Sequence, residues 1–478
     1  MKLLNTLSGH KEELQRPTKG PIKLFVCGPT VYDVAHIGHA RTYIAFDALT
    51  RFLRSENFKV FYLQNITDVD DRIIDRARRD HITPEKLASQ NEREYKKVMK
   101  RIGVISVTKY ANASKYIPEI VKQIQTLVAR GHAYEIKGNG YYFNIASFPD
   151  YGKLSKRTVA QAEDSVTRID EGIQKKNRGD FALWKFVDVN QKNSKKKFVL
   201  ENGEPAWNTK LGFGRPGWHI EDTAITESFF GPQYDIHGGG EDLKFPHHEA
   251  EIAQQEAASG KKPFVKIWLH TGFIRVRGEK MSKSLNNFVT IDDFLKMHSA
   301  DTLRWLVLSH HYRSPIDFNE DVVRDAEKSL DTLKSFIEKL AFTVKHSKNI
   351  KKHITDIALR ADATQAEFVN ALRDDFNTPE AIATLFSFAN TINPTLLGMN
   401  PRDAKTAQKP LLYALKLFGI SIKTTAVPSK ITKLVKAREL SRTHKQFTKS
   451  DDLRKAITEL GYSIDDTPLG PFVRRVWQ

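Results

Sequence analysis

The chain has 478 residues, 40% hydrophobic and 28% charged, a globular composition long enough for roughly two to four domains with cores of their own. No stretch reaches the roughly 20 apolar residues of a membrane helix, and Met1-Lys-Leu-Leu-Asn-Thr-Leu lacks a signal peptide's apolar core and cleavage site, so the cytosol is the expected address. Lysine and arginine outnumber acids 75 to 57 for a net charge of +18, and the single cysteine, Cys27, excludes an internal disulfide framework.

Ile22 to Val26 is a short apolar run ending at Cys27-Gly-Pro-Thr, and from His39 onward Ile44, Ala48, Leu49, Phe52 and Leu53 recur at helical spacing. A second β-rich run, Val60 to Leu63, stops at Asn65-Ile-Thr-Asp. The pattern predicts β-loop-α-β, the start of a parallel nucleotide-binding sheet whose ligands sit at the strands' C-terminal ends. Cys27 and Thr67 both fall at such ends. From about Lys109 to Gly214 the pattern loosens, and the lysine-rich tract Asn190 to Lys197 predicts an inserted, partly mobile region. Sheet-like segments resume at Tyr234-Asp-Ile and Val265-Lys-Ile-Trp-Leu, so the insertion divides one domain into two sequence halves. Beyond about Asp293 the chain is mainly helical, with amphipathic spacing over Leu330 to Ala341 and Thr378 to Thr391. A strongly basic terminal module begins near Pro428.

Two short constellations carry chemistry. His36-Ile-Gly-His39 lies where strand passes to helix, so two imidazoles and a helix N-terminus can face a triphosphate, with glycine allowing close approach. Lys280-Met-Ser-Lys-Ser284 places two cations on a polar loop, suited to neutralising a departing pyrophosphate. Either alone could be ordinary surface; their joint presence, in this order and on either side of an insertion, is far more specific. The net positive charge fits a nucleic-acid partner, or merely a basic surface.

With these blocks in view the chain resembles the class I aminoacyl-tRNA synthetases, and more narrowly the cysteinyl-tRNA synthetases, over nearly its whole length. Five stretches carry the resemblance in the family's order: Cys27 to His39, Asn65 to Asp71, Gly214 to Glu221, His237 to Glu249 and Lys280 to Asn287. His311-Tyr-Arg-Ser-Pro315, Asp374 to Glu380 and Asp465 to Gly470 are also similar. The resemblance implies an α/β protein: a Rossmann-like parallel-sheet catalytic domain with an insertion, a helical anticodon-binding domain and a small C-terminal module. It divides the chain into a first catalytic half (1–110), an inserted connective region (111–213), a second catalytic half (214–292), a stem-contact region (293–325), a helical tRNA-binding bundle (326–425) and a basic anticodon-binding module (426–478).

The implied reaction is ATP-dependent formation of cysteinyl-adenylate and transfer of cysteine to the 3′ end of tRNA(Cys), with ATP entering with Mg2+, in a monomer. His36 and His39 would stabilise the transferring phosphates and Lys280 with Lys283 the leaving pyrophosphate. Gly239, Gly240 and Asp242 would hold the adenosine, and Thr67 and Trp218 the amino acid. No protein nucleophile is required, so catalysis is orientation and electrostatic stabilisation.

Cysteine must also be separated from serine, which an apolar pocket cannot do well. A zinc ion solves this because it binds a thiolate far more readily than an alcohol and lowers the thiol pKa. The family holds its zinc with two cysteines, a histidine and a glutamate, which correspond here to Cys27, Asp222, His247 and Glu251. Asp222 stands where the second cysteine is expected. A carboxylate is an acceptable zinc ligand at about 2.0–2.2 Å, so the expectation is an intact but harder site. The competing readings are an Asp222 that only bonds to nearby backbone, a site without metal, and a Cys27 that is simply a small buried hydrophobe. His247 and Glu251, four apart after Pro246, are placed on one face of a helix starting there.

In the terminal module, Lys430, Lys433, Lys436, Arg438, Arg442 and Arg474, with Phe447, Tyr462 and Trp477 among them, suit phosphate contacts and base stacking, or a solvated basic surface. Two other functions use the same blocks: a ligase passing activated cysteine to an amino sugar, which gives no reason for a long helical and basic C-terminal region, and an RNA-binding paralogue with a decayed site, for which Asp222 is the one hint.

Overall fold

Five parallel strands form the central sheet: β1 (Ile22–Val26), β2 (Val60–Ile66), β3 (Lys109–Asn112), β4 (Tyr234–Gly240) and β5 (Val265–Thr271), in the spatial order β5-β4-β1-β2-β3. The structure is a computed structural model that describes residues 1–157, 174–187, 198–199, 204–281, 287–351, 353–354, 356–422 and 426–476. The chain divides into two compact units, 1–300 with 312–318, and 301–311 with 319–478.

Within the first unit, β1 reads as an almost unbroken apolar run with Ile22, Leu24, Phe25 and Val26 all fully buried. That is the expected composition when helices cover both faces of a parallel sheet. Each such side chain contributes about 1.5–3 kcal/mol by leaving water. One covering helix is α1 (Ile37–Ser55), which buries Ile44, Ala48, Leu49, Phe52 and Leu53 on one stripe. Another is α2 (Ile117–Ala129), which packs against α3 (Ile220–Phe230) and α4 (Glu249–Ser259). Thr223 on α3 donates to Gln123 on α2 at 2.7 Å.

The order places the reversal of chain direction between β1 and β4. The sequence runs outward from β1 through β2 to β3, then returns to the other side of β1. In such sheets a crevice opens there beyond the carboxyl ends of the strands. Cys27 follows β1 at that point, and His237, Gly239 and Gly240 form the end of β4.

The interrupting segment builds an antiparallel sheet of six strands between Ala133 and Pro216. The tract Asn190 to Lys197, expected to be mobile, lies outside the described residues. Two short strands, Ile274–Val276 and Glu279–Lys280, pair as a hairpin, and Ile316–Phe318 lies parallel beside the first of them.

The second unit is mainly helical. Its longest helix, Glu320–His346, buries Val323, Ala326, Leu330, Leu333, Ile337 and Leu340 at three- and four-residue spacing. It packs on Pro401–Leu417, and Ile357–Arg373 packs on Thr378–Ile392. The expected helical segments Leu330–Ala341 and Thr378–Thr391 lie inside these elements. The terminal module consists of Ser429–Thr443, Phe447–Glu459 and the hairpin Tyr462–Thr467 with Gly470–Arg475, around Ile431, Val435, Ile457 and Ile464. Arg438 turns inward rather than toward a ligand, forking onto Asp466 at 2.7 and 2.9 Å, and Arg474 pairs with Asp331. Lys430, Lys433 and Lys436 are exposed. Among the described residues no helix is long and apolar enough to cross a membrane.

Candidate active site and metal centre

The helix that begins beside the sheet crevice starts at Ile37, two residues before the His39 expected from apolar periodicity. His36 is the reason. Its backbone is extended and its Nδ1 accepts from the Gly38 N–H at 3.1 Å, while His39 Nδ1 accepts from the His36 N–H at 3.3 Å. This is a reciprocal cap of the kind usually built from serine and glutamate. The rings stack with centroids 3.8 Å apart, and a Cβ on Gly38 would lie 2.8 Å from the His36 ring, so glycine is required. Burial lowers the His36 pKa to about 4, and burial followed by His36 itself lowers His39 well below the ordinary value. Both imidazoles are therefore neutral, and since both Nδ1 atoms accept, their protons sit on Nε2.

The basic loop returns to this point. Val289 O accepts from the Ile37 N–H and Ala35 O from the Ile291 N–H, both at 3.1 Å. Phe288 packs edge-on against His36 at 5.1 Å. Lys280 ends the hairpin that leads into the loop, and Lys283 lies outside the described residues.

At the end of β4, Gly239 lies under the His248 ring so closely that a Cβ would sit 2.7 Å from His248 Cε1. Asp242, on the short turn Glu241–Leu243, is exposed.

Deeper in the crevice three sequence-predicted ligands meet. Asp222 Oδ2 lies 3.4 Å from Cys27 Sγ and 3.1 Å from His247 Nε2, and the three form one buried candidate metal group. Bonds of about 2.0–2.3 Å at tetrahedral angles separate nitrogen and oxygen donors by about 3.3 Å, and sulfur and oxygen by about 3.6 Å. The observed spacings match these edges. Glu251 stands one step away: its Oε1 is 3.3 Å from His247 Nε2, and it groups with His237 and His248 in an adjoining buried candidate metal group. Neither oxygen of Glu251 has a hydrogen-bond partner, and the Nε2 atoms of His237 and His248 have none either. The helix carrying Glu251 begins at Glu249 rather than at Pro246, with His247 in the wide turn Lys244–His248 before it.

Charge explains why such a cluster wants a cation. Burial, then Asp222 and Glu251, pushes the Cys27 thiol well up; burial and Asp222 do the same to Glu251 and to Glu221. Among the described residues no lysine or arginine pairs with these acids. A divalent cation inverts this, favouring thiolate and carboxylates together. The donor set of one sulfur, one imidazole nitrogen and carboxylate oxygens fits zinc.

Supporting contacts fix the cluster. His219 Nδ1 is 2.8 Å from His247 Nδ1, which leaves His247 Nε2 turned toward the acids. The Trp218 ring stacks on His247 at 4.2 Å. Thr67 Oγ1 donates to Glu221 Oε1 at 2.5 Å, and Asn65 donates to both Thr67 and Asp222. Sequence reasoning missed His219, His237, His248, Glu221 and Asn65, although all lie inside the blocks that carried the resemblance. Beside Trp218 opens a cavity of about 240 Å³, with Phe245, Arg72, Lys175 and Arg178 in its lining.

The family model described as the class I (C) tRNA synthetase catalytic domain matches residues 13–328, and the DALR domain model matches residues 367–422. Among curated relatives, the cysteine–tRNA ligase of Caldicellulosiruptor saccharolyticus is 40% identical over 483 residues, covering 100% of both chains. That of Thermoplasma volcanium is 42% identical over 467 residues, covering 98% of each. Among solved structures, Mycobacterium tuberculosis methionyl-tRNA synthetase in complex with methionyl-adenylate aligns with a TM-score of 0.57 at 15% identity, covering 84% of this chain and 90% of that one, a likeness of fold alone.

Proposed function

The chain belongs to the class I cysteinyl-tRNA synthetases, and from that premise we propose that its substrate-selecting metal is zinc held by Cys27, Asp222, His247 and Glu251. The enzyme is a cysteine–tRNA ligase, which activates cysteine with ATP and passes it to tRNA(Cys). Zinc, when bound, supplies a preference for a substrate thiolate over the serine hydroxyl. The observation that carries the assignment is that one oxygen of Asp222 lies at tetrahedral-edge distance from both Cys27 Sγ and His247 Nε2 in an acidic, buried cluster.

The remaining roles follow from where the donors point. His36 and His39 keep neutral Nε2–H groups for the transferring phosphates of ATP, which enters with Mg2+. Their Nδ1 atoms are already used by the cap. Electrostatic help of this kind acts without reorganisation because the cap fixes the rings. Lys280 and Lys283 would neutralise the leaving pyrophosphate, and their loop's stem is supported beside His36 by Ile37 and Ile291. Gly239 and Gly240 offer backbone to the adenine side, with Asp242 free for ribose hydroxyls. Thr67 and Trp218 would hold the cysteine backbone and side chain. The cavity beside Trp218, with Arg72, Lys175 and Arg178 in its lining, suits the phosphates of the tRNA 3′ end. The exposed lysines of Ser429–Thr443 suit the anticodon arm, and ATP and tRNA as substrates support a cytoplasmic address.

The test is charging of unfractionated tRNA by zinc-replete protein supplied with cysteine or serine, alongside Asp222→Ala and Asp222→Cys. Charging with cysteine alone, loss of zinc and of discrimination in Asp222→Ala, and retention of both in Asp222→Cys are expected. Unchanged zinc content and selectivity in Asp222→Ala would overturn the ligand assignment.

A further inference from the structure

We propose that Asn65 is a positioning residue that makes Asp222 present a single oxygen to the metal, an inference that rests on Asp222 being a ligand. Asn65 is the sixth residue of β2 and is 1% exposed. Its Oδ1 accepts from the Gly28 N–H at 2.5 Å, and its Nδ2 donates to Asp222 Oδ1 at 2.5 Å and to Thr67 Oγ1 at 3.3 Å. The amide cannot be reversed, because its NH2 would then face the Gly28 N–H and its oxygen the Asp222 carboxylate. The orientation of Asn65 is therefore set by the backbone beside Cys27.

That orientation divides the two oxygens of Asp222. Oδ1 is held by Asn65, and Oδ2 is the oxygen that faces Cys27 Sγ and His247 Nε2. A thiolate has one donor atom and needs no such division. A carboxylate has two and can swing to bind through both, taking a coordination position that a substrate thiol needs. With aspartate in place of the family's cysteine, the hydrogen bond from Asn65 keeps the ligand to one oxygen. A buried, charge-assisted bond at 2.5 Å is strong enough to set this geometry.

The experiment compares zinc affinity, by competition with a chromophoric chelator, in the parent, Asn65→Ala, Asp222→Cys and the double variant. It also records the visible spectrum of each cobalt-substituted protein. Removing an outer partner of a metal ligand typically costs 10–100-fold in affinity. That loss is expected for Asn65→Ala beside aspartate, and it should shrink to less than about threefold in the Asp222→Cys background. The intense bands of four-coordinate cobalt should weaken in Asn65→Ala while the sulfur-to-cobalt band of Cys27 persists. Equal losses in both backgrounds would show that Asn65 acts only by anchoring Gly28 and would sink the proposal, as would an unchanged cobalt spectrum. If Asp222→Ala itself left zinc affinity intact, the ligand reading would fail first, and this inference with it. Should the alanine variant not fold, the nearly isosteric Asn65→Leu carries the same comparison.

Discussion

His36 does two things with two nitrogens, and the substitution His36→Asn separates them. Nδ1 accepts the Gly38 N–H and begins α1, while the proposed role gives Nε2–H to phosphate. Asparagine places an amide oxygen where Nδ1 was, and it is among the best N-caps, so stability should change by no more than about 0.5 kcal/mol. It has no atom where Nε2 stood. A preorganised donor to transition-state charge is worth about 10²–10³ in rate, or about 2.7–4 kcal/mol, and that is the expected fall in cysteine-dependent ATP–pyrophosphate exchange. His36→Ala should show the same fall and lose about 1 kcal/mol more stability by removing the cap as well. Thermal melting and exchange kinetics on the two variants decide it. If His36→Asn kept more than a tenth of the exchange rate, or melted as early as His36→Ala, the division of labour between the two nitrogens would be wrong.

The same histidine carries a pH signature. Unfolded, it takes a proton below about 6.5; folded, only below about 4. Between those values the unfolded chain binds more protons, so stability is fully present above pH 6.5 and falls toward pH 4, by about 3 kcal/mol for this one group. Urea melts from pH 7.5 to 4.5 should show a slope that becomes shallower by one proton in His36→Asn, and an unchanged slope would contradict it. Gly239→Ala, whose Cβ would sit 2.7 Å from the buried His248 ring, should raise the KM for ATP about tenfold through misplacement of the β4 end, read from exchange kinetics at varied ATP. Asp466→Ala removes the forked partner of the Arg438 guanidinium, which is 1% exposed while Asp466 is 37% exposed, and leaves it only the single bond to Glu439 at 2.9 Å. The cost should be about 1–2 kcal/mol, less than for a fully buried pair. Limited proteolysis should then cut within 426–476, tRNA charging should fall, and pyrophosphate exchange should persist.

How much of this was legible in the sequence depends on the scale of the interaction. Strand and helix positions followed from apolar spacing, because parallel strands buried on both faces leave a continuous hydrophobic signature. The start of α1 did not, since its cap is two histidines, a combination that the usual serine-to-glutamate pattern does not contain. Cys27, Asp222 and His247 come from the end of a strand, a helix and a turn far apart in the chain. Only the likeness to a known family brought them together on paper, and the sheet's reversal between β1 and β4 brings them together in space. Arg438 shows the opposite failure. Composition offers every arginine of a basic module either a ligand or solvent, and nothing short of the fold reveals that Asp466 lies opposite this one.

Asp222 is the position where the two kinds of reading meet. As a departure from a family pattern it is plain in the sequence and says nothing about whether the site survives. Replacing a thiolate by a carboxylate leaves the ligands' charge unchanged but makes the set harder, so less of the metal's preference for sulfur is satisfied by the protein. The substrate thiol would then be the second sulfur rather than the third. A site built this way gains in its appetite for cysteine only if the carboxylate stays on one oxygen, and the amide that holds it there belongs to the strand next to β1, 157 residues earlier in the chain. On the proposed ligand set, selectivity is thus a property of sheet register as much as of ligand identity.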